Sequence, residues 1–162
     1  MTAPGVDQQR FRELAGCFAT GVTVLTTRTT EGTPLGMTAS AVAAVSLDPP
    51  LVLVCVDRRH DMHPALGAAR HFVLNVLAAD QEPLSRRFAD VTDDRFAGVA
   101  AHDNAAGVPV LDGVAAAIEC ERQGAVPAGD HTVFFGLVTG GQTAARDPLV
   151  HHRGTYTTVC GA

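Results

Sequence analysis

Val22-Thr23-Val24-Leu25-Thr26, with Glu31-Gly32-Thr33-Pro34 a few residues on, is the stretch whose reading decides the fold. Val22, Val24 and Thr26 alternate with Thr23 and Leu25 in a β-rich run, and the Gly and Pro that follow turn the chain into a second extended segment. That is a hairpin signature. Before it, Phe11, Leu14, Ala15 and Phe18 recur at helical spacing behind Asp7 as an N-cap, which predicts an amphipathic helix over residues 7–19. After it, Leu51 to Val56 is a short apolar run behind Asp48-Pro49-Pro50, too short and too β-branched for a helix. Further helices are expected at His63 to Ala69 and Gln81 to Phe88, with a strand at Phe72 to Leu77. Val114 to Glu121, Thr132 to Thr139 and Thr155 to Val159 read as strands. Short strands in hairpin order with helices in only a few connections predict a mainly β protein, an antiparallel, Greek-key-like barrel with peripheral helices. No GxGxxG string lies between a strand and a helix, which argues against a dinucleotide-binding α/β sheet.

The 162 residues fit one domain, residues 1–162, large enough to bury a core without disulfides. All twelve basic residues are arginine, so lysine Schiff-base and P-loop chemistry are excluded. With 46% apolar and 18% charged residues and a net charge of −5, the composition is that of a soluble, mildly acidic globular protein. The arginines are scattered, so nucleic acid is not an expected partner. No apolar run reaches the length of a membrane helix and Met1 to Gly5 does not open a signal peptide, so the expected location is cytoplasmic. Cys17, Cys55, Cys120 and Cys160 lie far apart without a CxxC pair and are expected to be buried, reduced thiols.

A catalytic serine is not expected, because GxSxG is absent. His60 and His63 have HxxH spacing and His151-His152 are adjacent, but no third ligand stands at a recognised spacing, so no metal is expected. Three polar segments carry more information. Gly36-Met37-Thr38-Ala39-Ser40-Ala41 places small residues at a strand and its exit, either a close backbone approach to a planar or phosphorylated ligand or a tight barrel corner. Ser85-Arg86-Arg87-Phe88 is either a phosphate clamp or an exposed helix end. Gly129-Asp130-His131-Thr132 is either a pocket lining or a capped turn.

In their order along the chain, these segments resemble the flavin reductase-like family with the FMN-binding split-barrel fold. The resemblance rests on Phe18-Ala19-Thr20-Gly21-Val22-Thr23-Val24, Pro34-Leu35-Gly36-Met37-Thr38-Ala39-Ser40 and Ser46-Leu47-Asp48-Pro49-Pro50-Leu51-Val52. It continues through Phe72-Val73-Leu74-Asn75-Val76-Leu77, Gln81 with Ser85-Arg86-Arg87-Phe88, Gly129-Asp130-His131-Thr132 and Arg153-Gly154-Thr155-Tyr156. It implies a homodimer with flavin in a surface groove near the subunit interface. By position, Gly36, Met37, Thr38, Ser40 and Ala41 match the stretch lining the isoalloxazine and ribityl chain. Cys55, Val56 and Asp57 match the strand end that meets the ring, and Asp61, Met62, Arg87 and Phe88 match the surroundings of the phosphate. His131 and Tyr156 match the region where nicotinamide stacks on the flavin. One departure is Asp57-Arg58-Arg59-His60-Asp61, where relatives often carry serine, lysine or asparagine; its carboxylates would repel a phosphate unless Arg58 or Arg59 compensates.

The activity so implied is NAD(P)H:flavin oxidoreduction, with hydride passing from NADH or NADPH to FMN, or FAD, for a partner flavin-dependent monooxygenase. Hydride transfer is intrinsic to the two cofactors, which suits a chain without a triad. The alternatives are a flavin carrier on the same barrel and a reductase of another acceptor, such as a corrinoid or ferric complex.

Overall fold

The computed structural model describes residues 5–90 and 93–159. In chain order the elements are α1 (Gln8–Ala15), β1 (Thr20–Gly21), β2 (Thr23–Arg28), β3 (Pro34–Ala39), β4 (Val42–Leu47), β5 (Pro50–Asp57), α2 (Met62–Ala68), β6 (His71–Val76) and α3 (Glu82–Asp90). There follow β7 (Ala101–Asp103), β8 (Pro109–Leu111), β9 (Ala116–Ala128), β10 (His131–Thr143), β11 (Leu149–His152) and β12 (Thr155–Thr158). Seven strands form an antiparallel sheet in the order β3-β2-β6-β9-β10-β5-β4, flanked by a three-stranded sheet β1-β11-β12 and the β7-β8 pair.

The expected hairpin is present: Thr23 pairs with Ala39 and Arg28 with Pro34. β3 and β4, the two edges of the large sheet, are consecutive in the chain, with only Ser40-Ala41 between them. Three peptide units span at most about 11 Å, so the sheet must roll until its edges meet at that corner. The Ala41 carbonyl there accepts a hydrogen bond from the Cys55 N–H at 3.0 Å. β3 and β4 are not laddered to each other. The sheet is therefore rolled but open along one seam, as a split barrel is.

The rolled sheet is buried on both faces at its centre. Leu25, Phe72, Leu74 and Phe134 point into the barrel with Val54, Met62 and Leu66. The alternate residues Val22, Val24 and Val73 point outward to Phe88, Leu111 and Leu149. β9 and β10 run well past the sequence-predicted strands and form a long ribbon, joined by the two-residue turn Gly129-Asp130. Gly129 has φ +62°, the conformation that favours glycine in a two-residue hairpin turn.

Asp7 caps α1 as expected, accepting the Arg10 N–H at 2.8 Å. The helix is shorter than predicted and none of its residues is buried. Phe11, Leu14 and Phe18, which form the predicted apolar face, are exposed, Phe18 at 75%. The cysteines differ from expectation in part: Cys120 is buried, Cys55 half-buried and Cys17 exposed, while Cys160 lies outside the described residues.

Candidate functional site

Two walls of different character flank the Ser40-Ala41 corner. The first is made by β3, α3 and β12. A Cβ at Gly36 would overlap the ring of Phe88, so glycine is what lets α3 dock on β3. Thr38, two residues along the same strand face, donates its hydroxyl to the Ser85 carbonyl at 2.6 Å. The buried Ser85 hydroxyl lies 2.9 Å from that of Tyr156. The Tyr156 ring stands edge-on to His151, with the Arg86 guanidinium 5.0 Å from its centroid. Arg86 is in turn held by Glu82 at 2.7 Å. Apart from this outer pair, the wall is a chain of neutral hydroxyl contacts.

The second wall is charged. Asp57 at the end of β5 pairs across the sheet with His131 at the start of β10. The Arg59 side chain and backbone N–H both donate to Asp57, the shortest contact being 2.7 Å, and they hold its carboxyl well below the ordinary range. His131 Nδ1 lies 2.7 Å from Asp130 Oδ1, and this hydrogen bond lowers Asp130 as well. Arg58 ties the loop to the β9–β10 turn, donating its backbone N–H to the Asp130 carbonyl at 3.1 Å and Nη2 to the Gly129 carbonyl at 2.6 Å.

The two walls are joined through Asp61 and Arg95. Arg95 Nη1 donates to Asp61 at 3.1 Å and to the Gly36 carbonyl at 3.2 Å. A cavity of about 200 Å³ lies between Pro34-Leu35-Gly36 and this ion pair. Arg87 fixes the Asp94-Arg95 backbone, donating Nε to the Arg95 carbonyl at 2.6 Å and Nη2 to the Asp94 carbonyl at 3.1 Å. Burial lowers the proton affinity of His60, and its neutral Nδ1 accepts the Met62 N–H at 3.0 Å. Once protonated, the same nitrogen would instead donate to Asp61 Oδ1, 2.6 Å away.

The structure thus brings most of the expected residues to one corner but gives them unequal parts. Ser40 and Ala41 are exposed at the corner itself. Met37, Val56, Met62 and Phe88 are buried in the two cores and contribute by packing or through the backbone. The Cys55 thiol is pushed up by burial, and its backbone N–H holds the corner. Arg87 braces a loop, and His131 and Tyr156 stand on different sheets, on β10 and β12. His63 Nε2 is 2.9 Å from the Thr132 hydroxyl, apart from the groups His60 meets. Among the described residues no group of three His, Cys, Asp or Glu side chains is placed to hold a metal. Sequence reasoning missed Arg95, whose guanidinium reaches Asp61 and Gly36, 34 and 59 residues away in the chain.

The corner fits a flavin nucleotide. Ser40 and Ala41 are small and exposed there, and the Asp57 and Asp61 carboxylates are each paired with a guanidinium, which offsets their charge toward an anionic ligand. Fold and site together define a split-barrel protein of the flavin-binding class. The family model described as "Flavin reductase like domain" matches residues 15–159, and the chain belongs to that family. It is 44% identical over 154 residues to an FMN reductase (NADH) from Agrobacterium fabrum (strain C58 / ATCC 33970), covering 94% of this chain and 87% of that one. It is 37% identical over 158 residues to the reductase subunit of a flavin-dependent monooxygenase from Rhodococcus jostii (strain RHA1), covering 97% and 80%. The NADH:FAD oxidoreductase of Streptomyces globisporus C-1027, solved in complex with NAD and FAD fragments, superposes with a TM-score of 0.90 at 37% identity over 98% of both chains. Some relatives are longer: the chain spans 51% of one from Rhizobium meliloti (strain 1021). Among the described residues no helix is long and apolar enough to cross a membrane.

Proposed function

We propose that the chain, acting as one domain over residues 1–162, is an NADH-dependent flavin reductase that supplies reduced FMN to a partner monooxygenase, with FAD as a second flavin. The observation that carries this reading is the likeness along nearly the whole chain to an FMN reductase (NADH), at 44% identity. When bound, the flavin accepts a hydride from reduced nicotinamide. The chain's own residues hold the rings in contact and exclude water. Gly36, Thr38, Ser40 and Ala41 line the ring and ribityl chain, with the Cys55–Asp57 strand end beside them. Asp61 with Met62, Arg87 and Phe88 frames the phosphate end.

His131 and Tyr156 are the nicotinamide-side residues. His131 supplies an imidazole oriented by Asp130, and Tyr156 a ring fixed by Ser85. NADH is favoured over NADPH because the cations near His131 and Tyr156 are already engaged, Arg58 by Gly129, Arg59 by Asp57 and Arg86 by Glu82. A homodimer is supported by the apolar face of α1 and by Leu47 of β4, which is 96% exposed. A cytoplasmic location goes with the nicotinamide donor.

Steady-state oxidation of NADH and NADPH, each with FMN, FAD and riboflavin, tests the reading. Saturable NADH oxidation that depends on added FMN is expected, with NADPH the poorer donor. Tight FMN binding with negligible turnover would make the chain a carrier, and no oxidation with any flavin would overturn the reductase.

A further inference from the structure

We propose that Arg95 is a positioning residue for the flavin phosphate, acting through Asp61. The inference rests on the reading that flavin lies along Gly36 to Ala41 with its phosphate toward Asp61, and adds how this chain tolerates a carboxylate there. Asp61 stands half-exposed at the mouth of the cavity beside Gly36. A carboxylate in that position repels a phosphate, which carries close to two negative charges at neutral pH. The cations adjacent in sequence do not offset it: Arg59 is held by Asp57 and Arg58 by Gly129. His60 touches Asp61, but its burial favours the neutral ring.

Arg95 supplies the compensating charge. Its side chain is only 10% exposed, it donates to both oxygens of Asp61 at 3.1 and 3.3 Å, and its backbone is held by Arg87. The same guanidinium reaches the Gly36 carbonyl and so fixes the Asp57–Asp61 loop against β3, the strand assigned to the ring. Arg95 therefore does two things at once: it cancels Asp61 where the phosphate arrives and sets the width of the groove.

Charge compensation predicts an effect specific to the phosphate, which loss of structure does not. Binding of FMN and of riboflavin, which lacks the phosphate, is measured by flavin fluorescence quenching at neutral pH for the native protein, Arg95→Met, Arg95→Lys, Asp61→Asn and Arg95→Met/Asp61→Asn. From the Coulomb repulsion of an uncompensated carboxylate at a few ångströms, Arg95→Met is expected to weaken FMN about tenfold and riboflavin no more than about twofold. The double variant should recover most of the FMN affinity, and Arg95→Lys should keep it. Equal losses for FMN and riboflavin, or no recovery in the double variant, overturn the proposal. If Arg95→Met does not fold, Asp61→Asn decides alone: FMN should tighten relative to riboflavin, and an unchanged ratio overturns the proposal. A native protein that binds neither flavin refutes the underlying flavin reading instead.

Discussion

The β3–α3–β12 wall and the wall formed by the ends of β5 and β10 fix their side chains by opposite means. On the first, Thr38, Ser85 and Tyr156 are linked by neutral hydroxyl contacts over a ring packed beneath Gly36. On the second, Asp57 is held by Arg59 and Asp130 by His131, in positions open to water. Buried neutral contacts are costly to break, because the group left behind has lost water and gains nothing in return. Exposed ion pairs are nearly neutral for stability, since solvent replaces the partner. Mutations in the first wall should therefore appear in folding, and mutations in the second mainly in ligand binding and pH response.

The largest expected effect on stability is at Gly36. Gly36→Ala places a methyl group against Phe88, and overpacking of this kind costs about 1–3 kcal/mol in denaturant unfolding. In a Phe88→Leu background the cost should shrink, because the two positions share one space. An additive double-mutant cycle would show that α3 does not dock through this contact.

Tyr156→Phe comes next. It removes the partner of the buried Ser85 hydroxyl, at a cost of about 1 kcal/mol, because a helical serine can turn to a carbonyl of its own helix. An unchanged unfolding midpoint would place Tyr156 outside the neutral wall.

Smaller still is a pH effect in the charged wall. Burial lowers the pKa of His60, so the folded state favours the neutral ring. That contribution is complete above the unfolded value of about 6.5 and is lost as pH falls from there through the lowered native value. The thermal midpoint should fall across that window, and His60→Asn, which still accepts the Met62 N–H, should flatten the fall. Asp57 and Asp130, held low by Arg59 and His131, act in a separate window, losing their contribution only as pH drops below about 4. The smallest effect belongs to Arg59→Ala, whose exposed pair with Asp57 is screened by solvent, so the midpoint at neutral pH should fall only slightly. A clear drop would remove the distinction between the walls.

What the sequence disclosed follows the range of the interactions. The Asp7 cap, the β2–β3 hairpin and the apolar run of β5 are local patterns and were legible as such. β4 was not, because Val42-Ala43-Ala44-Val45-Ser46-Leu47 lacks the β-branched density of its neighbour and becomes a strand by pairing with β5. The face of α1 was legible as apolar but not as exposed, since nothing local says what covers it. At the site, Gly36 to Ala41 was visible from its small residues. The compensation of Asp61 was not: Arg58 and Arg59 are the near neighbours, yet the guanidinium that reaches it comes from Arg95.

The claim that flavin binds at the corner between the two walls is tested most directly by the affinity of Ala41→Leu for FMN. Ala41 is exposed, so the added side chain should leave the fold intact while filling the corner. FMN binding weakened about tenfold or more, a change of about 1.4 kcal/mol, at an unchanged thermal midpoint is the predicted result. An affinity equal to that of the native protein would contradict the account.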